Sequence, residues 1–140
     1  MTNINMKEIE TEQELKSVLE MCYKYLGTGN EELYGYDAWY KRFIDGSQPL
    51  VFATKDEKIV AAVLGRAENK DRLVVGFAAC HENYRKQGIT KELLGYFEDL
   101  ARKQGFKYIT LGSEEDEFYK KCGYNVIFEV HNQNIFKKLL

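Results

Sequence analysis

The chain has 140 residues, a formal net charge of −2 and a single proline, Pro49, and it mixes charged and apolar side chains throughout. This length predicts one domain over residues 1–140 with a sizeable core. The charge gives no support to nucleic acid or an anionic membrane as the main partner. The sequence also lacks the ~20 apolar residues of a membrane helix, and residues 1–7 lack the apolar core of a signal peptide.

The cysteine and histidine pattern gives no indication of a metal site. Cys22, Cys80 and Cys122 are widely spaced, and His81 and His131 lie far apart in the sequence. This pattern favours neither a disulfide framework nor a zinc site. It predicts a soluble protein of a reducing compartment, the cytoplasm.

The N-terminal half reads as two helices followed by a hairpin. Thr11 and Glu14 form a capping-box pattern that starts the first helix, and Gly27 is suited to end it. Apolar periodicity supplies the other bounds. The predicted elements are a helix over 11–26, a loop over 28–33, a helix over 34–45, and strands over 50–54 and 59–66 with a turn at 55–58.

The C-terminal half alternates strands and helices. The predicted elements are a strand over 72–80, a helix over 88–104 stopped by Gly105, a strand over 107–111, a helix over 115–122 ended by Gly123, and a closing hairpin of 124–130 and 135–139 around Asn132-Gln133-Asn134. Because a helix joins the strands at 72–80 and 107–111, these two strands should be parallel. The prediction is an α/β protein with a mixed, mostly antiparallel sheet, one parallel βαβ crossover and helices on both faces.

The most informative segment is Arg85-Lys86-Gln87-Gly88-Ile89-Thr90, between an apolar strand and an amphipathic helix. It must form the N-terminus of that helix, where free backbone N–H groups and the helix dipole favour a phosphate. Gly88 lets a ligand approach the backbone closely, and Lys91 adds positive charge. The segment therefore predicts a phosphate-binding loop.

Two motifs together resemble the GNAT superfamily of N-acetyltransferases. The segment at 85–90 is similar to the signature Arg/Gln-x-x-Gly-x-Gly/Ala. The segment Phe118-Tyr119-Lys120-Lys121-Cys122-Gly123-Tyr124 is similar to Phe-Tyr-x-x-x-Gly-Phe, with Tyr124 in place of the usual Phe. Each motif alone is weak, but their order and separation, with a helix and a strand between them, are specific. The resemblance covers roughly residues 58–140.

The resemblance implies the acyl-CoA N-acyltransferase fold, with acetyl-CoA as co-substrate between the splayed strands at 72–80 and 107–111. Pantetheine would pair with the strand edge at Ala78, Ala79 and Cys80. Gly76 within the same strand indicates a bulge or a close backbone approach, which would help to splay the strands. The pyrophosphate would lie on the amides of Lys86, Gln87, Gly88, Ile89 and Thr90, with Arg85 and Lys91 as nearby cations. The family's leaving-group acid falls on Tyr119.

The sequence departs from the family pattern in three places. Thr90 stands where Gly or Ala is usual, although its amide remains available. Glu82 replaces a proline that is common after the strand. An asparagine often found after the second strand is missing, and Gly112-Ser113 is read as a shortened loop in its place.

Several residues have a plainer interpretation beside the functional one. Tyr119 is read as the acid rather than only a core tyrosine, and Cys80 as a small buried strand residue rather than a nucleophile. Trp39 and Phe43 are read as docking their helix, whereas Tyr34 and Tyr36 stay open as acceptor-pocket residues. The acidic run at 114–117 reads as the first turn of a helix. The carriers of the acceptor's proton are left open among water, His81, Glu82, Glu68 and Glu114.

The expected activity is direct transfer of an acetyl group from acetyl-CoA to the primary amine of a small molecule. The alternatives are a protein N-terminal or lysine acetyltransferase and a catalytically silent acyl-CoA-binding regulatory module. The resemblance also leaves a homodimer open, although no seam in the sequence marks an interface.

Overall fold

The computed structural model describes residues 4–25 and 36–140. Within these residues, one sheet of seven strands is combined with four α-helices and a short 3₁₀ turn at Glu82–Tyr84. The strands are β1 (Ile4–Glu8), β2 (Leu50–Lys55), β3 (Lys58–Ala67), β4 (Arg72–Cys80), β5 (Tyr108–Ser113), β6 (Asn125–Val130) and β7 (Gln133–Leu139). The helices are α1 (Glu12–Lys24), α2 (Tyr36–Phe43), α3 (Ile89–Lys103) and α4 (Asp116–Lys121).

The sheet order is β1-β2-β3-β4-β5-β7-β6, and every described pair is antiparallel except β4 with β5. The crossover through α3 makes that one pair parallel. The predicted mixed sheet with one βαβ crossover is therefore confirmed.

Helices cover both faces of the sheet. Alternate residues of β2 face opposite ways, so Val51 packs in the cluster that contains α3, and Phe52 packs in the cluster that contains α1 and α2. The predicted docking of α2 is confirmed, because Trp39 and Phe43 are buried and the Trp39 ring lies 5.3 Å from that of Phe77. Four predictions lie outside the described residues: the helix stop at Gly27, the loop over 28–33, the start of the helix at 34, and Tyr34 as an acceptor-pocket residue.

The helix ends follow from local chemistry. Thr11 caps α1 in a complete capping box with Glu14, as predicted. Gly105 and Gly123 follow α3 and α4 with φ of +91° each. At Gly123 the N–H bonds back to Lys120 O and that of Tyr124 to Tyr119 O, which is a Schellman ending. Both predicted glycine stops are therefore confirmed.

Three details differ from the sequence prediction. Strand β1 is absent from that prediction, since its alternation offers only Ile4 and Met6 and it forms by adding to the edge of β2. The closing turn lies at His131 and Asn132, both with positive φ, so the residues that follow belong to β7. Two central residues of positive φ match the twist of a hairpin.

The third difference concerns Gly112 and Ser113, which are not a loop. They extend β5 and pair with Ile135 and Asn134 of β7. The antiparallel partner therefore extends β5 beyond the apolar run that predicts the strand. Of the described helices, none has the length and apolarity to cross a membrane.

Gly65 provides a stability test of the close contact between β3 and α3. A Cβ at Gly65 would lie 2.8 Å from Phe97 Cζ and 2.9 Å from Pro49 O, and Phe97 is fully buried. Gly65→Ala should therefore lower the free energy of unfolding by about 1–3 kcal/mol, the usual cost of overpacking. Urea denaturation measures this change.

Gly95→Ala is the matched control. Its Cβ would meet no atom within 4 Å, so the helix should gain about 0.5–1 kcal/mol from the loss of a flexible residue. Equal effects of the two substitutions would contradict the close contact at Gly65.

Candidate functional site

The site begins where β4 separates from β5. The two strands pair only from Arg72 to Val74, opposite residues 108–110. The register of β4 against β3 then shifts so that Gly76 is an extra residue, which confirms the predicted bulge. Beyond this bulge, none of the described strands pairs with the β5-facing edge of β4, and a wedge opens in the middle of the sheet.

Backbone groups point into this wedge. The His81 N–H donates to Val60 O at 2.7 Å, which sets the phase of hydrogen bonding between β4 and β3. Because the bonding direction alternates along a strand, the N–H and C=O groups of Ala78 and Cys80 point away from β3 and toward the wedge. A ligand that contains amides can therefore bond to this edge as a further strand does.

The segment at 85–90 turns the chain sharply into α3 at the mouth of the wedge. Lys86 and Gly88 have φ of +64° and +79°, so a lysine as well as a glycine adopts the left-handed region here. Gly88 is the N-cap of α3, and no side chain caps the helix. The first helical bond runs from Glu92 N–H to Gly88 O. The amides of residues 89–91 are therefore free of helical acceptors and are available to an anion.

Arg85 ties this segment to two other elements. Its Nε donates to Cys80 O at 3.0 Å, and its guanidinium carbon lies 5.0 Å from the ring centroid of Tyr25 at the end of α1. The Tyr25 hydroxyl also accepts from Glu82 N–H at 3.0 Å. Arg85 thus holds the shape of the loop as well as contributing charge at its surface.

The wedge, the loop and α4 enclose a cavity of about 530 Å³. Its wall is apolar toward the sheet and basic at the loop. The lining residues are Ala78, Ala79, Cys80, Tyr84, Arg85, Lys86, Gly88, Ile89, Thr90, Lys91, Glu115, Phe118 and Tyr119.

Tyr119 forms the α4 wall of this cavity and is mostly buried, with 8% of its surface exposed. Its ring packs edge-on against Phe118 and Tyr124, at centroid distances of 4.9 and 5.8 Å, and against Phe136 at 5.6 Å. Burial, with smaller contributions from the nearby Cys122 and Glu115, raises the pKa of Tyr119 to about 12. The phenol is therefore neutral and protonated across the physiological range.

The cavity brings together the residues proposed from the sequence to hold acetyl-CoA or to act as the leaving-group acid, with one exception. Gln87 is the exception, because its side chain accepts from Lys55 Nζ at 3.4 Å instead. Tyr84, Glu115 and Phe118 line the cavity although the sequence analysis does not place them in the site. Phe118 falls in a motif of the sequence without a role of its own, and no local pattern marks Tyr84.

The other sequence candidates occupy different positions. Cys80 is only partly buried: it packs against the core cluster beside α3 and also lines the cavity, and its sulfur lies 3.7 Å from His81 O. Tyr36 stacks on Tyr40 in α2 and is not a cavity-lining residue. The predicted acidic first turn of α4 is present, with Asp116 and Glu117.

The four side chains considered as proton carriers are also separated. Glu68 pairs with Arg66 and lies beside Arg72, at the opposite end of β4 from the cavity. Glu82 pairs with Lys24 at 3.2 Å, and this partner lowers the pKa of the carboxyl group. His81 Nδ1 accepts from Asn83 N–H. Of the described cavity-lining residues, only Glu115 has a carboxylate, and Glu114 is exposed beside it.

A second concavity of about 320 Å³ lies at the other end of the sheet, between the start of α1 and the end of α2. The helix end that it contains, the start of α1, is capped by Thr11, so it lacks the free helix N-terminus of the larger cavity. Over residues 4–25 and 36–140, no cluster of three His, Cys, Asp or Glu residues is arranged to hold a metal ion.

Comparisons with known proteins agree with this architecture. The model of the acetyltransferase (GNAT) family matches residues 12–124. Solved structures of similar fold include the PaiA N-acetyltransferase from Thermoplasma acidophilum in complex with coenzyme A, with 16% identity, 99% of each chain covered and a TM-score of 0.80. An aminoglycoside 6'-N-acetyltransferase complexed with coenzyme A has 15% identity, 96% of each chain covered and a TM-score of 0.80.

A third similar structure is Ard1 from Thermoplasma volcanium, with 16% identity, 98% of this chain and 97% of that chain covered, and a TM-score of 0.75. No curated protein matches the chain by sequence. The architecture and the family match together indicate an acetyltransferase. The chain belongs to the acetyltransferase (GNAT) family.

The raised pKa of Tyr119 predicts a loss of stability at alkaline pH. A group whose pKa is raised by folding stabilises the protein below its unfolded pKa, and this contribution is lost as pH rises to the folded pKa. For Tyr119 the window runs from 10.0 to about 12, which corresponds to a loss on the order of 2 kcal/mol. Urea denaturation between pH 8 and 11.5 should show the free energy of unfolding falling through this window.

In Tyr119→Phe, the free energy of unfolding should decrease less steeply with pH above pH 10. Burial also raises the pKa of Cys22, from 9.0 to about 12, so the fall between pH 9 and 10 should persist in the variant. Parallel curves for the two proteins above pH 10 would contradict the burial of the phenol.

Proposed function

We propose that this protein transfers an acetyl group from acetyl-CoA directly to the primary amine of a small molecule. The single observation that carries the proposal is the cavity, which joins an open strand edge, an uncapped helix N-terminus and a buried phenol. In this assignment the free amides after Lys86 hold the pyrophosphate, and Ala78 and Cys80 pair with the pantetheine amides. The thioester then lies toward Tyr119.

The reaction needs one proton at the leaving group. The amine nitrogen attacks the thioester carbon, the C–S bond breaks, and the sulfur leaves with its electron pair. Tyr119 donates its phenolic proton to this sulfur, which gives CoA as the free thiol. The phenolate recovers a proton from solvent or from the acetylated ammonium, so the products are the amide and CoA with no net change in the enzyme.

Burial keeps Tyr119 protonated but also makes it a weaker acid, because a phenol of higher pKa gives up its proton less readily. Since burial raises the pKa of the phenol to about 12, the proton is held in the ground state. A thiolate that develops beside it provides the acceptor. The N–H groups of the β4 edge at Cys80 would polarise the thioester carbonyl in the same step.

The amine must also arrive neutral. A free alkylammonium with a pKa of about 10.4 is only about one part in 10³ neutral at pH 7, so a carboxylate or water has to take its proton. Glu115 is next to Tyr119 on the cavity wall and attracts a cationic acceptor to this end. The acidic residues that follow it in α4 extend the same potential.

A small acceptor is proposed over a protein because the formal net charge of −2 gives no indication of a basic surface for docking a polypeptide. The structures of similar fold include an aminoglycoside N-acetyltransferase and Ard1. At identities of 15–16% they support the fold alone.

The first test is calorimetric titration with acetyl-CoA, with S-acetylpantetheine and dephospho-CoA as control ligands. Saturable binding of acetyl-CoA with much weaker binding of S-acetylpantetheine would support the phosphate assignment. A thiol-release assay with small amines, and with peptides that carry lysine or a free N-terminus, then identifies the acceptor class. Absence of acetyl-CoA binding would overturn the proposal, and release with peptides only would replace the small acceptor by a protein.

Tyr119→Phe should lower kcat by about 10²-fold, within the range for loss of a general acid, and leave the Kd for acetyl-CoA unchanged. Steady-state kinetics and calorimetry measure the two quantities. Tyr96→Phe is the control, because Tyr96 is an exposed tyrosine on the outer side of α3. An unchanged kcat in Tyr119→Phe would remove this residue from the mechanism.

Gly88→Glu should abolish binding of acetyl-CoA, because its carboxylate would crowd and repel the pyrophosphate. Gly46→Glu is a close control. Both glycines have positive φ, +79° and +73°, and a Cβ added at either would meet no atom within 4 Å, so both variants carry the same backbone strain. Calorimetry should show binding by Gly46→Glu only; binding by both would place the phosphate elsewhere.

A further inference from the structure

A buried ion pair connects α3 to the C-terminal part of the sheet. Glu98 of α3 is 5% exposed and accepts hydrogen bonds from Tyr124 Oη at 2.8 Å and from Lys138 Nζ at 2.9 Å. A charge at this depth is expensive unless it is paired and fully hydrogen-bonded. Each carboxylate oxygen of Glu98 accepts one of these hydrogen bonds, so the two bonds hold Glu98, Tyr124 and Lys138 in a defined geometry. We call Glu98, Tyr124 and Lys138 the Glu98 network.

The network reaches the end of α4 through the main chain. Lys138 Nζ also donates to Cys122 O at 2.8 Å, and Cys122 is the C-cap of α4. A Cβ at Gly123 would lie 3.4 Å from both Cε and Nζ of Lys138. The glycine therefore leaves the space through which the lysine reaches the helix end.

The network also contacts the ring of Tyr119. Tyr124 is 2% exposed, and its ring lies edge-on to that of Tyr119 with 5.8 Å between centroids. The Tyr124 N–H bonds to Tyr119 O at 3.0 Å. Burial and the neighbouring Glu98 hold the pKa of Tyr124 well above its ordinary value, so its hydroxyl remains a donor.

We propose that the Glu98 network is a positioning device that fixes Tyr119 relative to the acetyl-CoA site. This inference rests on the proposed acid role of Tyr119. The N-terminus of α3 forms the phosphate loop, and Glu98 lies on the same helix. Helix α3 therefore positions the anchored end of the cofactor through its N-terminus. Through Glu98, Tyr124 and Lys138 it also positions α4, which carries Tyr119.

The short α4 needs such a support. It has six residues, and the open wedge lies on one side of Tyr119. A helix of this length is not stable by itself. Its C-terminal carbonyl and the ring of Tyr119 are held by the network, and a displacement of about 1 Å at a reacting group is enough to cost up to 10²-fold in rate.

The first test measures Tyr119 directly, without an activity assay. In protein labelled with ring-¹³C tyrosine, the Tyr119 signal is assigned by its absence in Tyr119→Phe, and its ring-flip rate is measured by NMR. Lys138→Met and Tyr124→Phe should raise this rate. Lys137→Met, at the adjacent position of β7, and Tyr96→Phe, on α3, are the matched controls and should leave it unchanged.

The second test is a kinetic double-mutant cycle with Tyr119→Phe. Lys138→Met should lower kcat about tenfold, within the cost of a misplaced group, with the Kd for acetyl-CoA and the acceptor KM unchanged. In the Tyr119→Phe background, Lys138→Met should produce no further loss, because the group that it positions is already absent. Tyr124→Phe should show the same pattern, and it carries both tests if Lys138→Met does not fold.

An unchanged ring-flip rate for Tyr119 would overturn the positioning role whether or not the protein is an acetyltransferase. Equal losses of kcat in the two backgrounds would also overturn it, since they indicate a general effect on the fold. If the wild-type protein releases no CoA with any acceptor, the proposed function fails, while the ring-flip measurement still decides the role of the network.

Discussion

The separation of β4 from β5 after only three paired residues underlies the rest of the structure. From the bulge at Gly76 onward, β4 remains paired with β3, while β5 continues along β7. Main-chain groups at this edge of β4 therefore have no strand partner in the middle of a sheet, where such groups normally bond to a neighbouring strand. A ligand that contains amides completes the sheet at this point. The other parts of the site lie where they do because the wedge opens there.

Helix α3 connects the two parts of the sheet that the wedge separates. Its N-terminus lies at the mouth of the wedge without a side-chain cap, and its apolar face packs on β2, β3 and β4. Further along, Glu98 reaches Tyr124 and Lys138 in the part formed by β5, β6 and β7. The helix therefore contacts both parts of the sheet on either side of the wedge. These two donors, Tyr124 and Lys138, explain how a charged residue is accommodated at a buried position of an otherwise apolar face.

The predictions that succeeded depend on interactions between residues close together in the chain. The capping box at Thr11, the Schellman ending at Gly123 and the bulge at Gly76 each involve few residues, so a short pattern reveals them. Of the three differences from the prediction, two depend on a distant partner. The strand β1 forms only because the edge of β2 is available, and β5 includes Gly112 and Ser113 because β7 pairs with them.

The order of nearly all the elements, the parallel crossover and most of the cavity-lining residues can be predicted from the amino-acid sequence. The elements and the crossover follow from apolar periodicity, whereas the cavity-lining residues follow from the resemblance of the segments at 85–90 and 118–124 to the GNAT motifs. The folded chain was needed to show that Tyr84 and Glu115 also line the cavity, that Gln87 turns away from it, and that Glu68 lies at the far end of β4. The meeting of Glu98, Tyr124 and Lys138 likewise emerges only in three dimensions. Residues face one another across the sheet according to strand register and helix docking, and both are set by partners far away in the chain.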